Sequence, residues 1–184
     1  MIFGDPNEFA ILMDVVPAWT SGDSYKNGLF HFIIDGRFLP DSVGVATLSG
    51  DISCLSDDNA LLSPPEDNAL FNMDKFKAFS TMLKVMLPTM LEPEEDVPDD
   101  FETSYKYQAS TYNLEDGSCY VLAVSSGDKV RILGAKTSYL SGNNIDGYEW
   151  KNYDHLNIYE VILSKERIRK IVNDVKNQYT LIGK

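Results

Sequence analysis

The sequence predicts an α+β fold: a mostly antiparallel sheet built from hairpins and a meander, with a mid-chain helix and a C-terminal helix packed on it. Three observations predict it. Short apolar or alternating runs recur, several of them separated by Asp-Gly or Ser-Gly-Asp turn sequences. Helical spacing of apolar residues is confined to residues 73–87 and to the stretch after Ser164. No strand–helix–strand alternation argues for a parallel sheet. At 184 residues and 43% hydrophobic content the chain can build a core, and one domain over residues 1–184 is expected.

Residues 8–16 are apolar and stop at Pro17, which predicts a strand buried on both faces. Residues 21–24 read as a turn. Residues 29–34 form a second strand, with Phe30, Phe32 and Ile34 on one face and Leu29, His31 and Ile33 on the other. Asp35-Gly36 suits a two-residue hairpin turn, whose central positions both need positive φ. Arg37, Phe38 and Leu39 make the return strand. Val43, Val45 and Thr47 read as a strand, residues 49–62 as a short helix or a loop, and residues 63–68 as a break. Residues 73–87 predict a helix. Phe76, Phe79, Leu83, Met86 and Leu87 share its face, Asn72 or Asp74 caps it, and Pro88 ends it. Residues 88–101 read as an extended, acidic, proline-containing connection. Residues 102–114 alternate and predict a strand. Asp116-Gly117 supplies a hairpin turn, residues 118–124 the partner strand and residues 129–135 the third strand of a meander. Residues 137–154, rich in Gly, Asn and Tyr, read as a loop, and residues 156–163 as a strand. Ser164 caps a final helix with Ile168, Ile171, Val172, Val175 and Tyr179 inward. Lys165, Arg167, Arg169, Lys170 and Lys176 line its outer side, solvated or paired with the chain's own acids.

Charge is the strongest compositional signal. The formal net charge is −12, no Lys or Arg occurs between Phe38 and Asp74, and residues 92–102 hold seven acids and no base. Such a field repels nucleic acid and anionic lipid and speeds the encounter with a cationic partner. It also keeps a small domain soluble, which is the blander reading. If the charge is used for binding, the contact acids are Asp57, Asp58, Glu66, Asp67, Glu94, Glu95, Asp96, Asp99 and Asp100. Tyr139, Tyr148, Trp150 and Tyr153 could anchor an interface or pack over a sheet edge.

Little in the chain points to catalysis. Phosphate-binding glycine loops and metal-ligand spacings are missing from the sequence, so neither a cofactor nor a metal is expected. His31 reads as packed within a strand and His155 as lying at a strand entrance. A hydrolase would need one of them beside a carboxylate and a nucleophile. Cys54 and Cys119 read as reduced, buried thiols. The chain lacks an apolar run of about 20 residues, and its start lacks the basic and apolar regions of a secretion signal. A cytoplasmic, unanchored protein is expected.

The opening residues are more specific. Met1-Ile2-Phe3-Gly4-Asp5-Pro6-Asn7-Glu8-Phe9-Ala10-Ile11, then Trp19, then Gly28-Leu29-Phe30-His31-Phe32-Ile33-Ile34-Asp35-Gly36 resemble the start of bacterial immunity proteins of the immunity protein 42 family. The likeness covers the first quarter of the chain, and residues 57–101 read as an insertion. It implies a non-enzymatic antidote in a polymorphic toxin system, which binds a cognate toxin domain and blocks it. Many such toxins are nucleases with basic clefts, which an acidic inhibitor suits. The competing readings are a general acidic interaction module for basic proteins and a hydrolase with an unrecognised site.

Overall fold

The computed structural model describes residues 1–20, 25–91 and 96–182. The predicted turn at residues 21–24 lies outside them. The described elements, in chain order, are β1 (Ile2–Gly4), β2 (Phe9–Val15), β3 (Asn27–Ile34), β4 (Arg37–Leu39), β5 (Ala46–Thr47), α1 (Leu48–Cys54), α2 (Asn68–Asn72) and α3 (Lys75–Met86). They continue with α4 (Tyr112–Asp116), β6 (Cys119–Ser126), β7 (Lys129–Lys136), β8 (Ser138–Asn143), β9 (Gly147–Asn152), β10 (Tyr159–Ser164) and α5 (Lys165–Ile182). The fold is α+β, and every pairing between its strands is antiparallel.

The first sheet runs β1-β2-β3-β4, with β5 also on β3; the second runs β10-β7-β6; β8 and β9 form a separate ribbon. Asp35 and Gly36 turn β3 into β4 with φ of +49° and +72°, the mirror-image turn that the Asp-Gly pair predicts. In the second sheet β6 and β7 are buried on both faces, while β10 leaves Ile162 exposed. Val121, Ala123, Val130 and Ile132 meet Phe9, Ile11, Phe30 and Phe32 of the first sheet and Ile168, Val172 and Val175 of α5. Leu122, Val124, Leu133 and Ala135 meet Phe79, Met82, Leu83 and Met86 of α3. The period-2 alternation of β6 and β7 thus feeds two cores from one sheet. Gly134 permits the close approach: a Cβ there would lie 2.7 Å from Ile34 and Leu39 Cδ1.

Several expectations are corrected. On β2 the outer face is only partly covered, and Asp14 is exposed. β1 and α2 were not foreseen, and of the strand expected at 43–47 only Ala46–Thr47 forms, with α1 following. In α3, Asp74 is the cap, accepting from the N–H groups of Phe76 and Lys77. Phe76 is 50% exposed and Met82 is buried in the stripe instead. Periodicity sets a side chain's direction, not whether a neighbour reaches that far along the helix.

The strand expected at 102–114 shrinks to an edge at 107–110. There Ala109 N–H donates to Val121 O (2.8 Å) and Ala123 N–H to Tyr107 O (2.9 Å). Beyond it the chain turns into α4, because Asn113 N–H donates to Asp51 Oδ1 (2.9 Å) and the Asn113 amide to Phe30 O (2.7 Å). Asp116-Gly117 therefore closes a helix rather than a hairpin. The loop expected at 137–154 is the β8–β9 ribbon. Asn143 Oδ1 accepts the N–H groups of Ile145 and Asp146 at its tip. Gly142 sits at φ +130°, where a Cβ would come within 2.1 Å of Gly147 O.

Candidate functional site

Folding brings three acidic stretches together around α1, the turns that follow it and α4. A pocket of about 280 Å³ is lined by Ser53, Cys54, Ser56, Asp58, Asn59, Tyr105, Gln108, Ser110, Thr111, Tyr112 and Glu115. Past Asp58 and Tyr105 it opens onto a depression holding Asp57, Ser63, Pro65 and Lys106. Past Tyr112 it meets another, lined by Thr47, Gly50, Asp51, Asn113 and Asp116. Tyr105 and Tyr112 stand between these hollows, 59% and 63% exposed. The surface is thus an acidic groove with two projecting tyrosines. Lys106, at its rim, lies over the Tyr107 ring, 4.8 Å from the centroid.

The carboxylates sit in different environments. Burial raises the pKa of Asp51 and of Glu115, with Asp116 adding to the effect in both cases. Asp58 is exposed and accepts from the Ser56 hydroxyl, a contact that holds its carboxyl below the ordinary range. Ionised acids on the rim, such as Asp58, suit a cationic side chain arriving from solvent.

The acids predicted as contacts separate into groups. Asp57 and Asp58 line the groove. Glu66 accepts Gly127 N–H (2.7 Å) and Ser125 Oγ–H (3.1 Å) and lies 3.7 Å from Lys165 Nζ, which ties the 63–68 stretch to the β6–β7 turn. Asp67 caps α2 by accepting from Ala69 and Leu70 N–H. Asp96, Asp99 and Asp100 are exposed on the connection after α3, and Glu94 and Glu95 lie outside the described residues. Asp51, Glu115 and Asp116 were not singled out from sequence. Residues 107–128 contain no Lys or Arg, the one signal that pointed to Glu115 and Asp116, and Asp51 lies in the base-free stretch from Phe38 to Asp74. The outer side of α5 is largely paired: Arg167 with Glu8, Lys170 with Asp174, and Lys176 with Leu55 O.

His31 is buried, with Nδ1 3.0 Å from Pro40 O, and packs edge-on against Phe38. His155 lines a cleft of about 100 Å³ with Asp41, Lys136, Tyr153, Asn157 and Tyr159; its lining includes no Ser, Thr or Cys. Asp41 there is held by Lys136 at 2.7 Å. Cys119 is buried and its thiol pushed up to about 12 by desolvation, whereas Cys54 is only partly buried. Among the described residues no helix is long and apolar enough to cross a membrane, and no three metal-ligating side chains converge.

A family model described as Immunity protein 42 matches residues 1–178. The chain belongs to this family of immunity proteins. The likeness seen in the opening quarter therefore extends along nearly the whole chain, and residues 57–101 lie within the matched span. Among solved structures, the family member is similar to CdiI from Burkholderia dolosa AUO158. The TM-score is 0.71 at 22% identity, over 97% of this chain and 99% of that one, so the two share a fold. No curated protein matches it by sequence.

Proposed function

We propose that the chain binds a cognate toxin domain with a basic surface, such as a nuclease, and neutralises it by occlusion without chemistry of its own. The observation that carries this reading is the match to an immunity protein family along residues 1–178. In this reading, which the likeness to a protein named CdiI supports, the toxin belongs to a contact-dependent inhibition or other polymorphic toxin system and is met in the cytoplasm. The net charge of −12 supports a basic partner. In this reading Asp57, Asp58, Glu115 and Asp116 face the toxin's basic cleft, Tyr105 and Tyr112 anchor the contact, and Asp96, Asp99 and Asp100 steer the approach together with Glu94 and Glu95. Glu66 and Asp67 contribute charge while holding the fold.

The test is co-expression with the toxin domain encoded immediately upstream of the gene. Growth rescue and a co-purified complex are expected. A folded chain that neither protects nor binds would sink the proposal and favour a general acidic module, which would instead bind unrelated basic proteins with similar, weak affinity.

A further inference from the structure

The β8–β9 ribbon carries large apolar side chains that the fold leaves uncovered. Its register sets Leu140 opposite Trp150, with Tyr148 on the same face. These three are 52%, 59% and 57% exposed, and Ile145 at the tip is 94% exposed. The other face is polar, with Glu149 and Lys151 paired at 2.8 Å, and Tyr139 packs on Tyr153 at a centroid distance of 4.8 Å. The ribbon is therefore amphipathic, with its apolar side turned to solvent. Among the described residues neither strand pairs with a third. Its base is tied down: Tyr153 N–H donates to Thr137 O (3.0 Å), and the Asn152 amide donates to Met90 O (3.0 Å). Asn152 shares the face of Trp150, so the apolar side adjoins Met90, just past the end of α3.

We infer that this face is a docking arm for the toxin domain, seated in an apolar groove with a basic border; the inference rests on the toxin-binding reading above. Charge complementarity selects this occupant. Asp146 at the ribbon's tip and the chain's net charge of −12 favour cationic side chains around whatever covers Trp150. Trp and Tyr faces also accept a guanidinium directly. A second copy of the chain fits badly. Each copy carries −12, so two copies repel one another. Exposed Trp and Tyr are the side chains that most often dominate interface energetics.

The experiment titrates the upstream-encoded toxin domain, catalytically inactivated, into wild type and a Leu140→Ser, Tyr148→Ser, Trp150→Ser variant, at low salt and at high salt. The variant should bind about 30-fold or more weakly, and the deficit should persist at high salt because apolar contact is not screened. Unchanged affinity overturns the docking arm while leaving the toxin-binding reading intact; absence of wild-type binding overturns that reading itself. A second measurement does not depend on how the triple variant folds. Trp19→Phe leaves Trp150 as the single tryptophan, whose emission should shift to the blue on complex formation. A complex formed without that shift overturns the inference. So does a ribbon-dependent dimer of the free chain in sedimentation, which would assign the face to a second copy.

Discussion

Arg131 is buried, and its guanidinium is satisfied almost wholly by main chain. Nη1 reaches Leu70 O (3.0 Å), Phe71 O (3.0 Å) and Met73 O (2.6 Å) at the end of α2, and Nε reaches Glu160 at 2.6 Å. A cation at a helix C-terminus satisfies carbonyls the helix cannot bond itself. Arg131→Met should cost about 3 kcal/mol, from the stranded Phe71 and Met73 carbonyls and an unpaired Glu160, measured by urea denaturation. Glu115 makes a prediction of opposite sign. Burial raises its folded pKa, Asp116 adds to this, and the Gln108 amide opposes it. The native state then holds the proton more tightly than the unfolded chain, so this group's contribution falls as pH rises from the ordinary glutamate range through the folded pKa. Glu115→Gln keeps the acceptor for Gln108 and removes the charge. The variant should melt higher than wild type at pH 7, with the gap closing as pH falls below the ordinary glutamate range. A constant gap across that range would mean the carboxyl does not carry the penalty.

At the scale of elements, α3 separates pattern from packing. Phe76 and Phe79 are three residues apart on one helix, yet Phe79 is wholly buried and Phe76 half exposed. Phe79→Ala should cost about 3–5 kcal/mol and Phe76→Ala under about 1 kcal/mol in the same denaturation assay. Comparable losses would place Phe76 in the core. Gly134 tests the approach of the two sheets. Gly134→Ala pushes a methyl to 2.7 Å from both Ile34 and Leu39, and the overpacking should cost about 1–3 kcal/mol. A neutral result would mean the sheets have room to separate.

For the whole molecule, the field matters more than any one acid. An exposed ion pair contributes only about 0–1 kcal/mol, so single reversals should scarcely change toxin binding. Reversing Asp96, Asp99 and Asp100 to Lys takes the net charge from −12 to −6. That variant should associate roughly tenfold more slowly at low salt with little change in dissociation, read by stopped-flow. If the rate is unaffected, steering does not come from this segment.

Much of the fold was legible in local sequence. The strands near residues 9–15 and 29–34, the Asp35-Gly36 turn, the paired strands before and after Gly127, α3 and α5 all follow from period, turn chemistry and caps, which act between near neighbours. The opening residues resembled the right family for the same reason, since a strand–turn–strand block is a local pattern. Charge was legible as a total, but its arrangement was not. Only the tertiary structure decided that residues 112–116 coil into α4, because the bonds responsible join Asn113 to Asp51 and Phe30, 62 and 83 positions away. The same long-range pairing turned Glu66 into a clasp, gathered Asp58 and Glu115 into one hollow, and made a ribbon of a stretch whose glycines and asparagines read as a loop. Side-chain period and backbone φ are properties of a residue and its neighbours; which carboxylates meet, and which apolar face is left uncovered, depends on partners that no local pattern specifies.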